Sequence, residues 1–421
     1  MEVVGNKGPL GWVRGARQSS ARRSGARKRL TVAAALVAGV GLLAACTIDR
    51  AGSSDPKNMA VEQGAPEEAA PLAPAASVAD GAKDVDPTQM VTVKAVDGDL
   101  ASVEMTNQNG KVVKAEMDAD KKSWTTTEVL GYGKTYTLTA SSTEGATKTT
   151  TFSTPSPQVT SAVYLSPIPD STVGIGQVIS FRFQYAVEDR HMAQDNIEIT
   201  TEPHVDGQFF WLNNRELRWR PKDFWEPGTQ VSVKANIYGK KLGEGHWGGD
   251  DQSTNFTIGD AVITTADDNT KTITVTRNGE VVKEMPTSMG SAQFPTPNGT
   301  YVVGDRNEDI VMDSSTFGLP IDDPNGYRTN VQYATQMSWS GIYIHAAPWS
   351  VWAQGKQNTS HGCLNVSTPN AKWFLDNAKR GDVVVVKNTQ GGTLSGYDGL
   401  GDWNIPWDVW GKGNVDETSA W

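Results

Sequence analysis

"HAAPWSVWAQGKQNTSHGCLNVS", residues 345–367, holds two of the five histidines and one of the two cysteines in a chain of 421 residues. A free thiol is mostly protonated at neutral pH, and only the thiolate is a strong nucleophile, so a cysteine that does chemistry needs a base or a cation beside it. His361 stands two positions before Cys363, and His345 closes the strand-like run "GIYIH" eighteen positions before it. If 361–365 runs extended, His361, Cys363 and Asn365 face one side. Gly362 permits close backbone approach to a substrate, and its amide, with that of Cys363, is placed to meet a developing oxyanion. The plainer alternative is that Cys363 is a small buried hydrophobe and the histidines are ordinary polar residues. No Cys-rich or His-rich spacing supplies the three or four ligands zinc requires, so no metal is expected. The other histidines, His191, His204 and His246, have no partners nearby in sequence and read as structural or surface residues.

Working outward, the N-terminal side has the grammar of an export signal. Residues 1–46 begin with a basic stretch from Arg14 to Arg29 and continue with an apolar run from Leu30 to Ala45. They end on Leu43-Ala44-Ala45-Cys46, which resembles a bacterial lipobox. The apolar run is shorter than the roughly 20 residues of a membrane span. A lipid-anchored location on the outer face of the cytoplasmic membrane, within the cell envelope, is therefore expected, with Cys46 as the lipidated residue and an uncleaved anchor as the alternative. Cys363 is then the one remaining thiol, and an unpaired cysteine in an oxidising compartment is a liability unless buried or used. Beyond residue 45 the chain holds 30 basic and 47 acidic residues, a net charge of −17. That balance argues against a nucleic-acid partner, which would call for a basic stripe.

Residues 47–86 contain ten Ala, four Pro and no aromatic residue. Such a composition buries too little apolar surface to order itself and reads as a disordered linker; about 40 flexible residues reach roughly 35 Å. Residues 87–155 are rich in Thr and Val, with alternating runs either side of Asn109-Gly110, a hairpin signal. Residues 156–258 repeat the pattern: "YGKTYTLTA" (132–140) parallels "PGTQVSVKA" (227–235), and each precedes a strand centred on a phenylalanine, Phe152 or Phe256. Two tandem immunoglobulin-like sandwiches are expected, with a single irregular β-domain as the alternative. Residues 259–388 read as a mostly β domain. It has a hairpin at Asn278-Gly279 and one helix in "TPNAKWFLDNAKRG", which Gly381 would stop. The tail, 389–421, carries Trp403, Trp407 and Trp410 and is too apolar to be free, so it is expected to pack on the 259–388 domain, including the helix with Trp373 and Phe374.

The stretch at 345–367, a His, about fifteen intervening residues and then Ser-His-Gly-Cys-x-Asn, resembles the signature of the L,D-transpeptidase family. The lipobox, paired sandwiches, later domain and Trp-rich tail resemble the actinobacterial type 2 members. The resemblance implies a cysteine acyltransferase that makes 3→3 cross-links between peptidoglycan stem peptides, without a cofactor, and is acylated by carbapenems. It implies Cys363 as nucleophile and His345 as its base, with the backbone carbonyl of Ala346 orienting the ring (relatives often have Ser there). It implies His361 as a second motif histidine and Ser360 and Asn365 as scaffolding. Tyr327, Met312 and Phe317 would belong to a flap over the donor peptide, where relatives often have Tyr in place of Phe317, and Trp349 would line the entrance. Two other functions remain open on the residues: an L,D-carboxypeptidase using the same cysteine with water as acceptor, and a non-catalytic wall-binding lipoprotein.

Overall fold

Asn278 and Gly279 both take positive φ, 51° and 88°, the conformation a two-residue hairpin turn demands. They join Thr272–Arg277 to Glu280–Pro286 at the edge of a five-stranded sheet. The protein is described here from a computed structural model, which covers residues 70–415. The signal region with Cys46, the first part of the linker and the last six residues lie outside the described residues. The five-stranded sheet continues through Val262–Asp267 and Val383–Lys387 to Gly299–Val302. Val262–Asp267 and Val383–Lys387 are parallel partners at its centre, which is why "VVVVK" reads as an unbroken apolar run rather than an alternation. A second, four-stranded sheet runs Arg306–Asp313, Arg328–Gln336, Tyr343–Ala346, Leu364–Val366. The helix Thr368–Asn377 packs across it, burying Ala371, Phe374 and Leu375. It ends at Asn377 rather than at Gly381: Ala378 is already extended, and its amide closes on Phe374 O.

Two β-sandwich modules precede this domain, and the chain is mainly β, as the sequence implies. In the first, Leu100–Asn107, Thr135–Ser142 and Thr147–Ser153 face a sheet of Ala75–Ala76, Thr92–Lys94, Ser123–Thr126 and Ala115–Met117 around Leu100, Met105, Trp124, Leu138 and Phe152. The repeat seen in the sequence is structural: Tyr136 pairs with Phe152 in one module, and Val231, its counterpart, with Phe256 in the other. The second module is larger, adding the short helix Arg190–Asp195 and a core with Phe181, Phe183, Trp211, Trp219 and Trp225.

Three expectations change. Residues 70–86 are not linker: Ala75–Ala76 pairs with Thr92–Lys94, Val78 is buried, and the amides of Gly81 and Val85 donate to Thr151 and Ser153. Backbone pairing can recruit a segment whose side chains carry little apolar area, and composition does not register that. The Asn109-Gly110 turn forms, but its hairpin is brief. After the Thr106–Val112 bridge the second arm crosses to the other sheet, where Ala115–Met117 pairs with Ser123–Thr126. The three tryptophans of the tail pack on the second sandwich, not on the helix bearing Trp373 and Phe374. Trp410, fully buried, stacks on Phe210 with ring centroids 4.9 Å apart and donates to Gln208 O at 2.8 Å. Trp403 meets Phe224 edge-on and donates to Gly176 O. The first half of the tail does pack on the 259–388 domain: Leu394 sits in that core, Val302 N donates to Leu400 O, Asp398 accepts from the amides of Trp339 and Ser340, and the Asn404 amide group bonds both backbone groups of Thr300. The second sandwich offers what the helix lacks, an apolar face ending in a buried guanidinium: Arg220 lies 4.5 Å from the Trp403 ring and 4.4 Å from the Trp410 ring.

Candidate active site

Tyr343–Ala346 and Leu364–Val366 are parallel neighbours, with His345 opposite Asn365. In-register residues of paired strands point to the same side, and residues two apart along a strand share that side. His345 and Asn365 are thus brought to one face, and Cys363, in the bend just before the strand, joins them in lining a cavity of about 440 Å³. The segment from Ser360 to Asn365 is cradled by residues 287–296. Ser288 exchanges both backbone hydrogen bonds with Asn365, Met289 O accepts from the amides of Thr359 and Ser360, and the Thr296 hydroxyl donates to Gly362 O at 2.7 Å. Gly290 allows that cradle to close, since a Cβ there would lie 2.2 Å from Phe294 O.

The imidazole of His345 is buried, and its Nδ1 lies 2.9 Å from Ala346 O. A carbonyl only accepts, so Nδ1 carries the proton and Nε2 is left with a free lone pair. Burial pulls the His345 pKa below the usual imidazole value, which keeps the ring neutral at physiological pH. The Cys363 thiol is buried beside Met312, Val331 and Ala334, 3.6 Å from Gly341 O. Burial pushes its pKa up to about 11; the backbone N–H of Tyr343 acts in the opposite direction. Cys363 is the free cysteine of the described residues, and no cluster of three or more potential metal ligands occurs among them.

His361 reaches the same cavity by another route. The strand covers only Leu364–Val366, and Gly362 at φ 122° turns the chain before it, so strand alternation does not place His361. Its exposed ring stacks on Phe294 at 4.6 Å and meets Tyr327 at 5.1 Å, forming a wall at the mouth. The Gly362 amide is not available to an oxyanion: it donates to Ser360 Oγ at 3.1 Å, while that hydroxyl donates to Cys363 O at 2.6 Å. Ser360 closes this tight loop and holds the cysteine backbone in place. The Tyr343 amide acts on the sulfur itself, where it favours negative charge on Cys363. Asn365 donates to Ser350 Oγ at 3.2 Å, and its Oδ1 is buried without a partner.

Met312, Tyr327, Trp349 and Ser360 line the cavity. Phe317 closes the turn Ser314–Phe317, and its side chain lies outside the described residues. Residues 314 and 327 are tied together by Ser314 Oγ accepting from the Tyr327 amide. Sequence reasoning missed Thr329, Val331, Ser350, Trp352 and Thr359 in the lining, and Phe294 behind His361. Trp352 had a signal, a second bulky aromatic three residues after Trp349 in a stretch otherwise short of apolar side chains. Phe294 had none, because only tertiary folding brings it to residue 361.

Residues 261–386 match the family described as the L,D-transpeptidase catalytic domain, and residues 82–241 match the bacterial Ig domain. L,D-transpeptidase 2 of Mycobacterium tuberculosis (strain CDC 1551 / Oshkosh) is 52% identical over 343 residues, 81% of this chain and 84% of that protein. L,D-transpeptidase 5 of Mycobacterium tuberculosis (strain ATCC 25618 / H37Rv) is 32% identical over 79% of this chain and 74% of its own length. A solved structure of the LD transpeptidase LdtMt1 in complex with imipenem is 37% identical, covering 55% of this chain and all of that one with a TM-score of 0.48. A sandwich-bearing enzyme with a thiol and an imidazole on one cavity face is thus the class that fold and site define. The chain belongs to the L,D-transpeptidase family.

Proposed function

We propose that Cys363 is the nucleophile of a peptidoglycan L,D-transpeptidase and that His345 is its base. The observation that carries this reading is the pairing of a neutral, proton-oriented imidazole with a protonated thiol on one cavity face. The resting pair is neutral, so the proton leaves the thiol as the sulfur attacks. Nε2 of His345 takes the Sγ proton while sulfur bonds to the carbonyl carbon of the third stem residue, a diaminopimelate. The tetrahedral intermediate collapses, the bond to the terminal D-Ala breaks, and His345 returns the proton to the departing amine. A thioester remains, retaining the acyl reactivity of the cleaved amide. The neutral side-chain amine of a second diaminopimelate then attacks and gives its proton to His345. The 3→3 cross-link forms, and the sulfur leaves and recovers its proton. Asn365 lines the cavity beside this chemistry, its amide group held by Ser350.

A β-lactam carbonyl delivered to the same sulfur would form the analogous acyl-enzyme, so carbapenems are expected covalent inhibitors. The lipobox at Cys46 supports a lipid-anchored enzyme at the outer face of the cytoplasmic membrane. Mass spectrometry of the protein mixed with a stem tetrapeptide tests the reading. The expected result is a tripeptide adduct on Cys363, cross-linked dimer in the product, and neither in Cys363→Ala. Cross-linking by the alanine variant at near the native rate would end the cysteine mechanism. Tripeptide without dimer would assign a carboxypeptidase instead.

A further inference from the structure

We propose that Trp349, Val351 and Trp352 form a platform for the glycan strand to which the stem peptide is attached; the inference rests on the transpeptidase reading above. The three side chains are 53, 50 and 61% exposed within four residues of chain. The fold does not need them there. The loop from 347 to 358 is anchored by its other residues: Ser350 and Ala353 are buried, Gln354 donates to Ala347 O at 3.2 Å, and the Gly355 amide donates to Thr287 O. Fixing a loop this firmly while leaving two indole rings in water leaves an apolar surface for a partner.

Continuity and chemistry identify that partner. Trp349 and Trp352 both line the Cys363 cavity, and the Trp349 ring lies 6.1 Å from the His345 ring, so the platform begins at the reacting groups and runs outward. The scissile carbonyl belongs to the third residue of a stem whose first residue is bonded to the glycan. Three residues at about 3.3–3.6 Å each place the sugar roughly 10 Å from the sulfur. A docked stem therefore carries its glycan within reach of this loop. The residues around the rings suit a sugar better than a peptide rich in carboxylates. Between 347 and 358 the single charge is Lys356, and the exposed amide is that of Gln357, since Gln354 is buried and Asn358 is bonded to Asp268 and to the Met289 amide. A pyranose offers an apolar C–H face to an indole and a rim of hydroxyl and acetamido groups to the Gln357 amide.

The test compares D-Ala release from a free stem tetrapeptide with release from the same tetrapeptide linked to its disaccharide, using the native chain, Trp352→Ala and Trp352→Phe. The native protein is expected to prefer the disaccharide-linked donor in kcat/KM by about two- to ten-fold, the range one aromatic stacking contact supplies. Trp352→Ala should bring that ratio close to one, mainly through KM, and Trp352→Phe should retain most of it. Equal kcat/KM for the two donors in the native protein overturns the platform. So does an alanine variant that loses the same factor on both donors, since that describes a wall of the peptide site. Release from neither donor by the native protein removes the transpeptidase reading, and the platform with it.

Discussion

At neutral pH the sulfur of Cys363 holds its proton and the ring of His345 does not. Both states follow from burial, which disfavours the charged form of an acid and of a base alike. The pair therefore differs from a preformed thiolate beside an imidazolium, and the difference is measurable. Acylation should require neutral His345, so its rate should rise with pH along a limb set by a pKa below the usual imidazole value of about 6.5. No second rise from thiol ionisation is expected until the approach to about 11. A pH profile of thioester formation checks this; a rising limb centred near 8 or 9 would instead mark a thiolate formed without His345. The sequence placed His345 and Cys363 in one motif, but the protonation states come from the walls. Met312, Val331 and Ala334, from strands remote in sequence, make the thiol's surroundings apolar.

At the scale of elements, the connection between the helix Thr368–Asn377 and the strand Val383–Lys387 joins two modules. The amides of Gly174 and Gly176, from the second sandwich, donate to Arg380 O and Gly381 O at 2.8 Å, and Val383 belongs to the sandwich core. Asp382 is buried in this seam. Its Oδ2 accepts from the Lys379 amide, its Oδ1 has no partner, and burial pushes its carboxyl up to about 7. The fold favours the neutral acid. The stability this contributes is complete below the ordinary carboxyl value of 3.8 and is lost as the pH rises through about 7. Asp382→Asn keeps an acceptor for Lys379 and is neutral throughout. Its melting temperature should match the native protein near pH 4 and exceed it by several degrees at pH 8. An equal gap at both pH values would show that the carboxyl does not titrate in the seam. Nothing in "NAKRGDVVVVKN" signals that its aspartate faces another module. The strand itself was legible because a run of four valines has few other homes.

Across the whole molecule, the two sandwiches have unequal ties to the site. The first touches the second through Tyr132, whose hydroxyl donates to Gly248 O and accepts from the Gly239 amide, and through the Lys240–Asp86 pair at 3.1 Å. None of its residues lines the Cys363 cavity. A chain beginning at residue 156 should therefore fold and turn over a soluble stem peptide at near the native rate; folded but inert protein would assign the first sandwich a part in catalysis. The second sandwich shares its core with the catalytic domain and is clamped by the tail. Arg218, buried, bonds Glu216 at 3.1 Å and Asp402 at 3.3 Å, and Arg220 sits among Trp403, Trp407 and Trp410. Ending the chain at residue 395 would strip Asp402 and the three tryptophans from two buried guanidiniums, so a marked drop in melting temperature and in turnover is expected. Trp410→Ala alone should cost about 3–5 kcal/mol in denaturant unfolding. An unchanged melting temperature in the shortened chain would mean that the tail is dispensable to the clamp.

Local pattern alone determined much of this protein. Alternating Thr/Val strands, the Asn278-Gly279 turn, the valine run and the helix after Thr368 are each dictated by neighbours in the chain, through backbone conformation and side-chain periodicity. The spacing of His345, His361 and Cys363 marked the site for the same reason, since two adjacent parallel strands deliver most of it. Tertiary structure decided what distant partners impose. It drew residues 70–86 into a sheet by backbone pairing, and turned the tail toward Arg220 rather than Trp373. It spent the Gly362 amide on Ser360, and set the Phe294 ring against His361. Each of these depends on which surface is within reach after folding, and on how much water that approach removes, neither of which is encoded in the spacing of residues along the chain.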